Sequence, residues 1–196
     1  TGEVSVADAS LLDYETDQSH TIEVTATSSD SSTRTATFTI SVANDVSDDT
    51  YDVTGNAIDG YIEGATIFAD ADGDRQRDEG EAWTTTGTDG AYTLTGAEGR
   101  IVLHGSADAV DVATGLAFRG ILEAPAGSTV VTPLTTLINK LVDGDFGLDA
   151  AAAQAKVKSA LGITSDVDLT TFDPVEAALS DDSTIAAKGI EIAAHG

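Results

Sequence analysis

The sequence lacks cysteine and methionine entirely, although it has 196 residues. Without cysteine there can be no disulfides and no thiol catalysis, so stability outside a cell would have to come from core packing or from bound ions. Apolar runs approaching the roughly 20 residues that cross a bilayer are absent, as is the residue order typical of a signal peptide. We therefore expect no membrane insertion. Because the chain opens with Thr1, we also expect an internal segment of a longer protein.

Basic residues are scarce: 9 lysines and arginines face 34 acidic residues, which gives a formal net charge of -25. Such a surface repels nucleic acid and anionic lipid, and its self-repulsion destabilises the compact state unless cations neutralise part of it. The charge balance therefore excludes nucleic acid as a partner and favours bound metal cations. Adaptation to a saline environment, or solubility alone, is a compatible explanation of the same charge.

Catalytic signatures are missing as well. His20, His104 and His195 are far apart in the sequence, and neither a Gly-x-Ser-x-Gly elbow nor a His-Glu-x-x-His helix occurs. A carboxylate pair acting on a glycoside stays conceivable, because such pairs come from remote strands that spacing does not reveal. We therefore expect no enzyme and no catalytic residues, with a glycan-acting enzyme as the weakest alternative.

The first two thirds of the chain are patterned as β structure. Residues 21–26 and 34–42 alternate between apolar and polar side chains and are separated by a Ser/Asp-rich turn, which predicts two half-buried antiparallel strands. The polar, unpatterned stretch 44–49 is typical of a linker. Beyond it, up to Val131, short apolar segments alternate with Gly-rich turns, and this spacing predicts a β-sandwich.

Helical periodicity begins after Val131. Thr132 and Pro133 form an N-cap and a first-turn proline, and leucines follow at helical spacing up to Gly144. A second helix is predicted between Asp149 and Gly162. The capping pattern at Asp173 predicts a third helix, and Ser183 as an N-cap predicts a fourth. The first helix is expected to bury its leucine stripe on the sandwich. The fold class is therefore mainly β, an antiparallel β-sandwich of prealbumin or Ig type with a small C-terminal helical subdomain, divided into domains 1–48, 49–131 and 132–196.

An acidic loop carries the clearest chemical signal. Counted from Asp70, oxygen-bearing side chains occupy the positions that ligate calcium in an EF-hand, namely Asp70, Asp72, Asp74, Gln76, Asp78 and Glu81. Calcium requires six to eight hard oxygens, which a loop that alternates ligand and spacer can direct to one point. One position departs from the pattern, because Arg75 stands where the EF-hand has its turn glycine. The sequence predicts a calcium site against the alternative of a solvated acidic turn.

The residues around this loop carry a family resemblance. Residues 53–68, the acidic loop, and Thr88-Asp89-Gly90-Ala91-Tyr92 together resemble the Sdr B-type, prealbumin-like repeats of bacterial surface proteins. The resemblance implies that the acidic residues of the loop bind calcium, while Asp89 mainly shapes its turn.

A second resemblance lies near the N-terminus. Leu12-Asp13-Tyr14-Glu15, followed by Val42-Ala43-Asn44-Asp45, is similar to the second half of a cadherin-like repeat. It implies a second metal site formed by Asp13, Glu15, Asn44 and Asp45, with an incomplete ligand shell.

A third resemblance involves residues 124–137 and 171–174, which are similar to segments of giant repeats-in-toxin (RTX) adhesins. Together the three resemblances imply a calcium-binding structural module of a secreted adhesin on the bacterial cell surface, with neighbouring adhesin repeats as partners. The alternative is a recognition module for a surface polysaccharide or peptide, for which Trp83 and Tyr61 are the stacking candidates.

Overall fold

The computed structural model describes residues 5–6, 12, 14, 17–43, 50–144 and 147–195. The chain divides into two compact units, Thr1–Val46 and Ser47–Gly196. The strands and helices of the second unit belong to one body, whereas the described part of the first unit contains a single hairpin.

The hairpin of the first unit consists of β1 (Ser19–Thr27) and β2 (Thr33–Ser41), paired antiparallel with Ile22 opposite Phe38. The alternating pattern and the Ser/Asp turn predicted this pairing correctly. The prediction of half-buried strands is wrong, because Phe38 is 53% exposed and every residue of β2 is exposed. Within the described residues of this unit there is no second layer to cover the apolar face.

The described residues of the second unit form ten strands: β3 (Tyr51–Ala57), β4 (Ile62–Glu63), β5 (Thr66–Asp70), β6 (Trp83–Thr85), β7 (Ala91–Ala97), β8 (Arg100–His104), β9 (Val110–Asp111), β10 (Leu116–Ala117), β11 (Ile121–Ala124) and β12 (Val130–Val131). They form sheets of order β10-β9-β4, β11-β8-β5-β6 and β12-β3-β7. The mainly β prediction is confirmed. The pairing is not antiparallel throughout, because β12 runs parallel to β3.

The core of the second unit draws on several sheets at once. Buried residues of β3, β7 and β12 pack with inward-facing residues of β5, β8 and β11, among them Val53, Leu94, Ile67, Ile101 and Leu122. Because side chains alternate across a strand, the other face of the four-stranded sheet carries Asp70, Phe68, Arg100, Val102 and Glu123. The shared core is consistent with a sandwich. The charged residues Asp70, Arg100 and Glu123 lie on the face of the four-stranded sheet that points away from this core.

In the part of the chain that the structure describes, four helices follow the strands: α1 (Pro133–Val142), α2 (Ala150–Leu161), α3 (Pro174–Ala178) and α4 (Ser183–Ala193). Local signals predicted most of their ends. Thr132 caps α1, Asp149 caps α2, and Gly162 ends α2 with φ of 73°. The cap of α4 is Asp182, one residue before the predicted Ser183, because its carboxylate accepts from the amides of Thr184 and Ile185. No helix among the described residues is long and apolar enough to cross a membrane.

Helix α1 meets the sheet through polar groups. Leu134 and Ile138 pack with residues of α2 and α4 in a separate apolar cluster, and Leu137 is exposed. The face of α1 toward β11 carries Thr135, whose hydroxyl donates to the Glu123 carbonyl oxygen at 2.8 Å. The expectation that a leucine stripe binds α1 to the sandwich is therefore wrong.

Candidate metal centre

The acidic loop connects β5 to β6 and begins at a buried carboxylate. Asp70 is the last residue of β5, lies directly opposite Arg100 on β8, and is 1% exposed. Its Oδ1 accepts from the Gly73 amide at 2.9 Å, and its Oδ2 accepts from the Arg75 amide and from Arg100 Nε, both at 3.0 Å. A carboxylate offers about four lone-pair sites, so Oδ1 retains acceptor capacity for a further ligand.

Two exposed carboxylates join Asp70 at this point. Asp70, Asp72 and Asp74 each offer one oxygen, and the three oxygens lie within 4.8 Å of one another. Each exposed carboxylate also shapes the backbone: Asp72 Oδ1 accepts from the Asp74 amide at 3.1 Å, and Asp74 Oδ1 accepts from the Gln76 amide at 2.6 Å. Like charges about 4 Å apart repel by roughly 1 kcal/mol in bulk water and about 4 kcal/mol near a protein surface. A divalent cation would relieve this repulsion.

The loop makes the sharp turn despite lacking glycine at position 6. Arg75 adopts a left-handed conformation with φ of 67°, and Gly73 has φ of 81°. The departure from the EF-hand pattern is therefore one of residue type, and the backbone still takes a conformation that favours glycine. Gly99 allows the neighbouring turn to approach, because a Cβ there would lie 2.3 Å from the Asp70 carbonyl oxygen.

The remaining predicted ligands make other contacts. The Glu81 carboxylate accepts from the amides of Ala71 and Asp78, both at 2.9 Å, and so closes the loop on itself. The Gln76 side-chain amide donates to Asp74 Oδ2 at 3.1 Å, and Asp78 is exposed. Asp78 and Glu81 lie in the same loop but not in the cluster of Asp70, Asp72 and Asp74, which the Gln76 side chain contacts through Asp74. Asp89, with φ of 60°, shapes its turn and accepts from Asn56 Nδ2 through its carbonyl oxygen.

Behind the loop lies a charged network that sequence reasoning missed. Glu123 is 2% exposed, and its carboxylate accepts from Arg75 Nε at 2.9 Å, Asn139 Nδ2 at 2.9 Å and Lys140 Nζ. Burial alone would raise the pKa of Glu123, but the hydrogen bonds from Lys140, Arg75 and Asn139 outweigh it and lower that pKa. The sequence contains one signal of this network, a glutamate inside an apolar strand. The partners of Glu123 lie on elements that are distant in the sequence, so they could not be predicted.

The network joins the loop to α1. Arg100 donates through Nη2 to the Gly73 carbonyl oxygen at 2.7 Å and pairs through Nη1 with Asp143, the residue that ends α1. Arg75 Nη2 reaches the same Asp143 carboxylate at 3.3 Å. Three of the nine basic residues of the chain therefore pair with three acids in a charge-balanced cluster. Its members are Arg75, Arg100, Lys140, Asp70, Glu123 and Asp143.

The donor set fits a hard divalent cation. Carboxylate oxygens are preferred by Ca²⁺ and Mg²⁺, and Asp70, Asp72 and Asp74 already present three of them together. Calcium needs more oxygens than these three, so further ligands would have to come from the same loop or from water. The residues Asp13, Glu15, Asn44 and Asp45, predicted as a second site, lie outside the described residues.

The stacking candidates are held by partners of their own. Trp83 is 52% exposed, and the Arg77 guanidinium lies 4.7 Å from its ring centre. Tyr61 donates its hydroxyl to Asp173 Oδ2 at 2.9 Å.

Comparisons with known proteins return little. No known family matches the chain, and no curated protein matches it either. Among solved structures, the crystal structure of the major pilin subunit of Bacillus cereus is similar to 57% of this chain, with 12% sequence identity and a TM-score of 0.30. The similar region covers 36% of the pilin chain.

Proposed function

We propose that this chain is a calcium-binding structural module of a secreted bacterial surface adhesin, in which the ion stiffens the β5–β6 loop. The observation that carries the proposal is the convergence of Asp70, Asp72 and Asp74 within 4.8 Å in a loop with EF-hand ligand spacing. The prealbumin- or Ig-like assignment, the surface location and the neighbouring repeats as partners belong to the same proposal. They rest on the Sdr B-type, cadherin-like and RTX resemblances of the sequence.

Calcium would act by neutralising the exposed carboxylates while Asp70 anchors them to the sheet. Asp70 is fixed by Arg100, whose guanidinium also contacts Gly73 and Asp143. An ion that binds only the folded state stabilises it by mass action, by about 2.7 kcal/mol at 100-fold excess over Kd. In a long surface fibre, the same ion would restrict bending at this loop.

Terbium luminescence tests the proposal directly, because Tb³⁺ substitutes for calcium and the chain's one tryptophan, Trp83, starts the strand that follows the loop. We expect excitation of Trp83 to sensitise the luminescence of bound Tb³⁺. Excess calcium should displace Tb³⁺ and so remove the signal. Asp72→Asn/Asp74→Asn should abolish it, whereas Glu63→Gln/Asp108→Asn, which removes the same charge at exposed positions, should leave it intact. Equal signals from the two double variants would reject the loop as the site.

A further inference from the structure

A separate cavity of about 280 Å³ lies in the second unit between the β3–β4 turn, the β9–β10 turn and the helices. Its floor is apolar and buried: Ile58, Leu134, Leu169 and Ile192 line it, and each is at most 3% exposed. Phe172 and Val175 form partly buried walls. A concave, mostly apolar pocket with a few polar groups is the usual form of a site for a small ligand or a side chain.

Two acidic residues line the cavity on its solvent side, which we call the mouth: Asp59 is exposed and Asp111 is partly buried. The β3–β4 turn lies directly against Asp111, because a Cβ at Gly60, which has φ of 73°, would lie 2.2 Å from Asp111 Oδ1. Asp111 is fixed by the Ala113 amide at 2.8 Å and the Thr114 hydroxyl at 2.7 Å. Burial, and then the Asp111 charge, raise the pKa of Asp59. No lysine or arginine lines the cavity among the described residues.

We propose that this cavity binds a primary ammonium group carried on a short apolar chain. This is the chemistry of a lysine side chain, or of the amino terminus of a peptide that begins with an apolar residue. The apolar segment fills the floor, and the ammonium group stays at the mouth between Asp59 and Asp111.

The lining argues against other ligand classes. An anion would face two carboxylates without a compensating cation. A sugar requires several donors, but the Thr114 hydroxyl already donates to Asp111, which leaves the Thr132 hydroxyl, itself an acceptor for the Thr135 amide, as the one hydroxyl donor of the lining. Pro133 has no amide hydrogen, so the first residue of α1 offers no donor to the cavity. The two carboxylates are therefore the charged groups that the lining offers for recognition.

The test is an NMR titration of the full 196-residue chain with butylammonium and hexylammonium, hexanol and hexanoate, at constant calcium and ionic strength. We expect amides lining the cavity to shift with hexylammonium, and affinity to rise about two- to fourfold per methylene. Hexanol should bind more weakly, and hexanoate should not shift these amides. Equal affinities for hexanol and hexylammonium, or no shifts at the cavity, would overturn the proposal.

Matched variants test separately how the acidic mouth and the rest of the cavity lining contribute to binding. Asp59→Asn should weaken hexylammonium binding about three- to tenfold and leave hexanol unchanged. The control Asp166→Asn removes the same charge at an exposed residue away from the cavity lining and should change neither. Ala193→Leu narrows the exposed part of the lining and should block both ligands. If Asp59→Asn and Asp166→Asn behave alike, the carboxylate role is refuted.

Two peptide probes then distinguish the sources of the ammonium group. An N-acetylated peptide with a central lysine tests the side chain, and an uncapped peptide that begins with leucine tests the amino terminus. Binding by either one supports the proposal and identifies the source. If neither peptide shifts the cavity amides while hexylammonium does, the proposal for a macromolecular ligand is overturned. These readouts do not require calcium binding, so their failure is separable from failure of the metal site.

Discussion

Arg75 combines an unfavourable backbone conformation with favourable side-chain contacts. Its φ of 67° is costly for any residue with a Cβ, while its guanidinium pairs with Glu123 and Asp143. Arg75→Ala and Arg75→Gly both remove the ion pairs, but only glycine relieves the backbone. We therefore expect Arg75→Gly to be more stable than Arg75→Ala by about 1 kcal/mol, measured by urea unfolding in the presence of chelator. Equal stabilities would contradict the left-handed turn at this position.

Arg100 uses different nitrogens for different partners. Nε pairs with Asp70, Nη2 donates to the Gly73 carbonyl oxygen, and Nη1 pairs with Asp143. Lysine keeps the charge but has one nitrogen, so Arg100→Lys leaves part of this network unpaired and should lower the free energy of unfolding by about 2 kcal/mol. Arg119→Lys, at an exposed position, is the control and should change stability by less than about 0.5 kcal/mol. A small effect of both substitutions would show that the network does not hold the loop.

Helix α4 is tied to the segment after α2 by Glu191. Its carboxylate accepts from the Thr164 amide at 2.7 Å and the Ser165 amide at 3.1 Å, as well as from both hydroxyls. The Ser165 hydroxyl and the Thr164 contacts lower the pKa of Glu191 from 4.5 to about 2. The stabilisation from this group is therefore complete above pH 4.5 and disappears as the pH falls through about 2.

Glu191→Gln should accordingly lower Tm at pH 7, and the difference from wild type should shrink as the pH falls from 4.5 toward 2. Thermal unfolding followed by circular dichroism across this range measures it. Glu63→Gln, at an exposed strand position, serves as the control for removal of one charge. If the Tm difference between Glu191→Gln and the wild type did not depend on pH, the carboxylate charge would not contribute to the stability of α4.

The elements differ in how far local sequence determines them. Thr132-Pro133, Asp149 and Gly162 place the ends of α1 and α2 because capping is satisfied within a few residues. The polar face of α1 toward β11 depends on Glu123, Arg75 and Arg100, which are distant in sequence, so periodicity predicted the wrong face. The exposure of β2 was also unpredictable, because alternation reveals an apolar face but not whether another layer covers it.

The candidate metal centre was likewise predictable only where its contacts lie within one stretch of sequence. Ligand spacing from Asp70 to Glu81 predicted the convergence of Asp70, Asp72 and Asp74, because it is contained in one loop. The same spacing did not predict that Glu81 would bond loop amides, nor that Arg100 would pair with Asp70. Pairing across β5 and β8 is a property of strand register, which the loop sequence does not contain.

The charge of the whole molecule makes cations important beyond one loop. The cluster around Glu123 is balanced, so the formal net charge of -25 falls on the rest of the chain. Monovalent salt screens such repulsion at every exposed carboxylate, whereas a divalent ion in the loop acts at one place. A calcium effect is therefore meaningful only at matched ionic strength.

The most direct measurement is thermal unfolding of the wild type and of Asp72→Ala/Asp74→Ala in calcium, in magnesium and in chelator, at equal ionic strength. At 100-fold excess over Kd, calcium should raise Tm of the wild type by roughly 5 to 10 °C. The variant should gain nothing from calcium. Its Tm in chelator should lie close to that of the wild type, because relief of the carboxylate repulsion offsets the loss of the amide hydrogen bonds that Asp72 and Asp74 accept. Equal Tm of the wild type in calcium and chelator, or an equal gain by the variant, would contradict the calcium-binding loop.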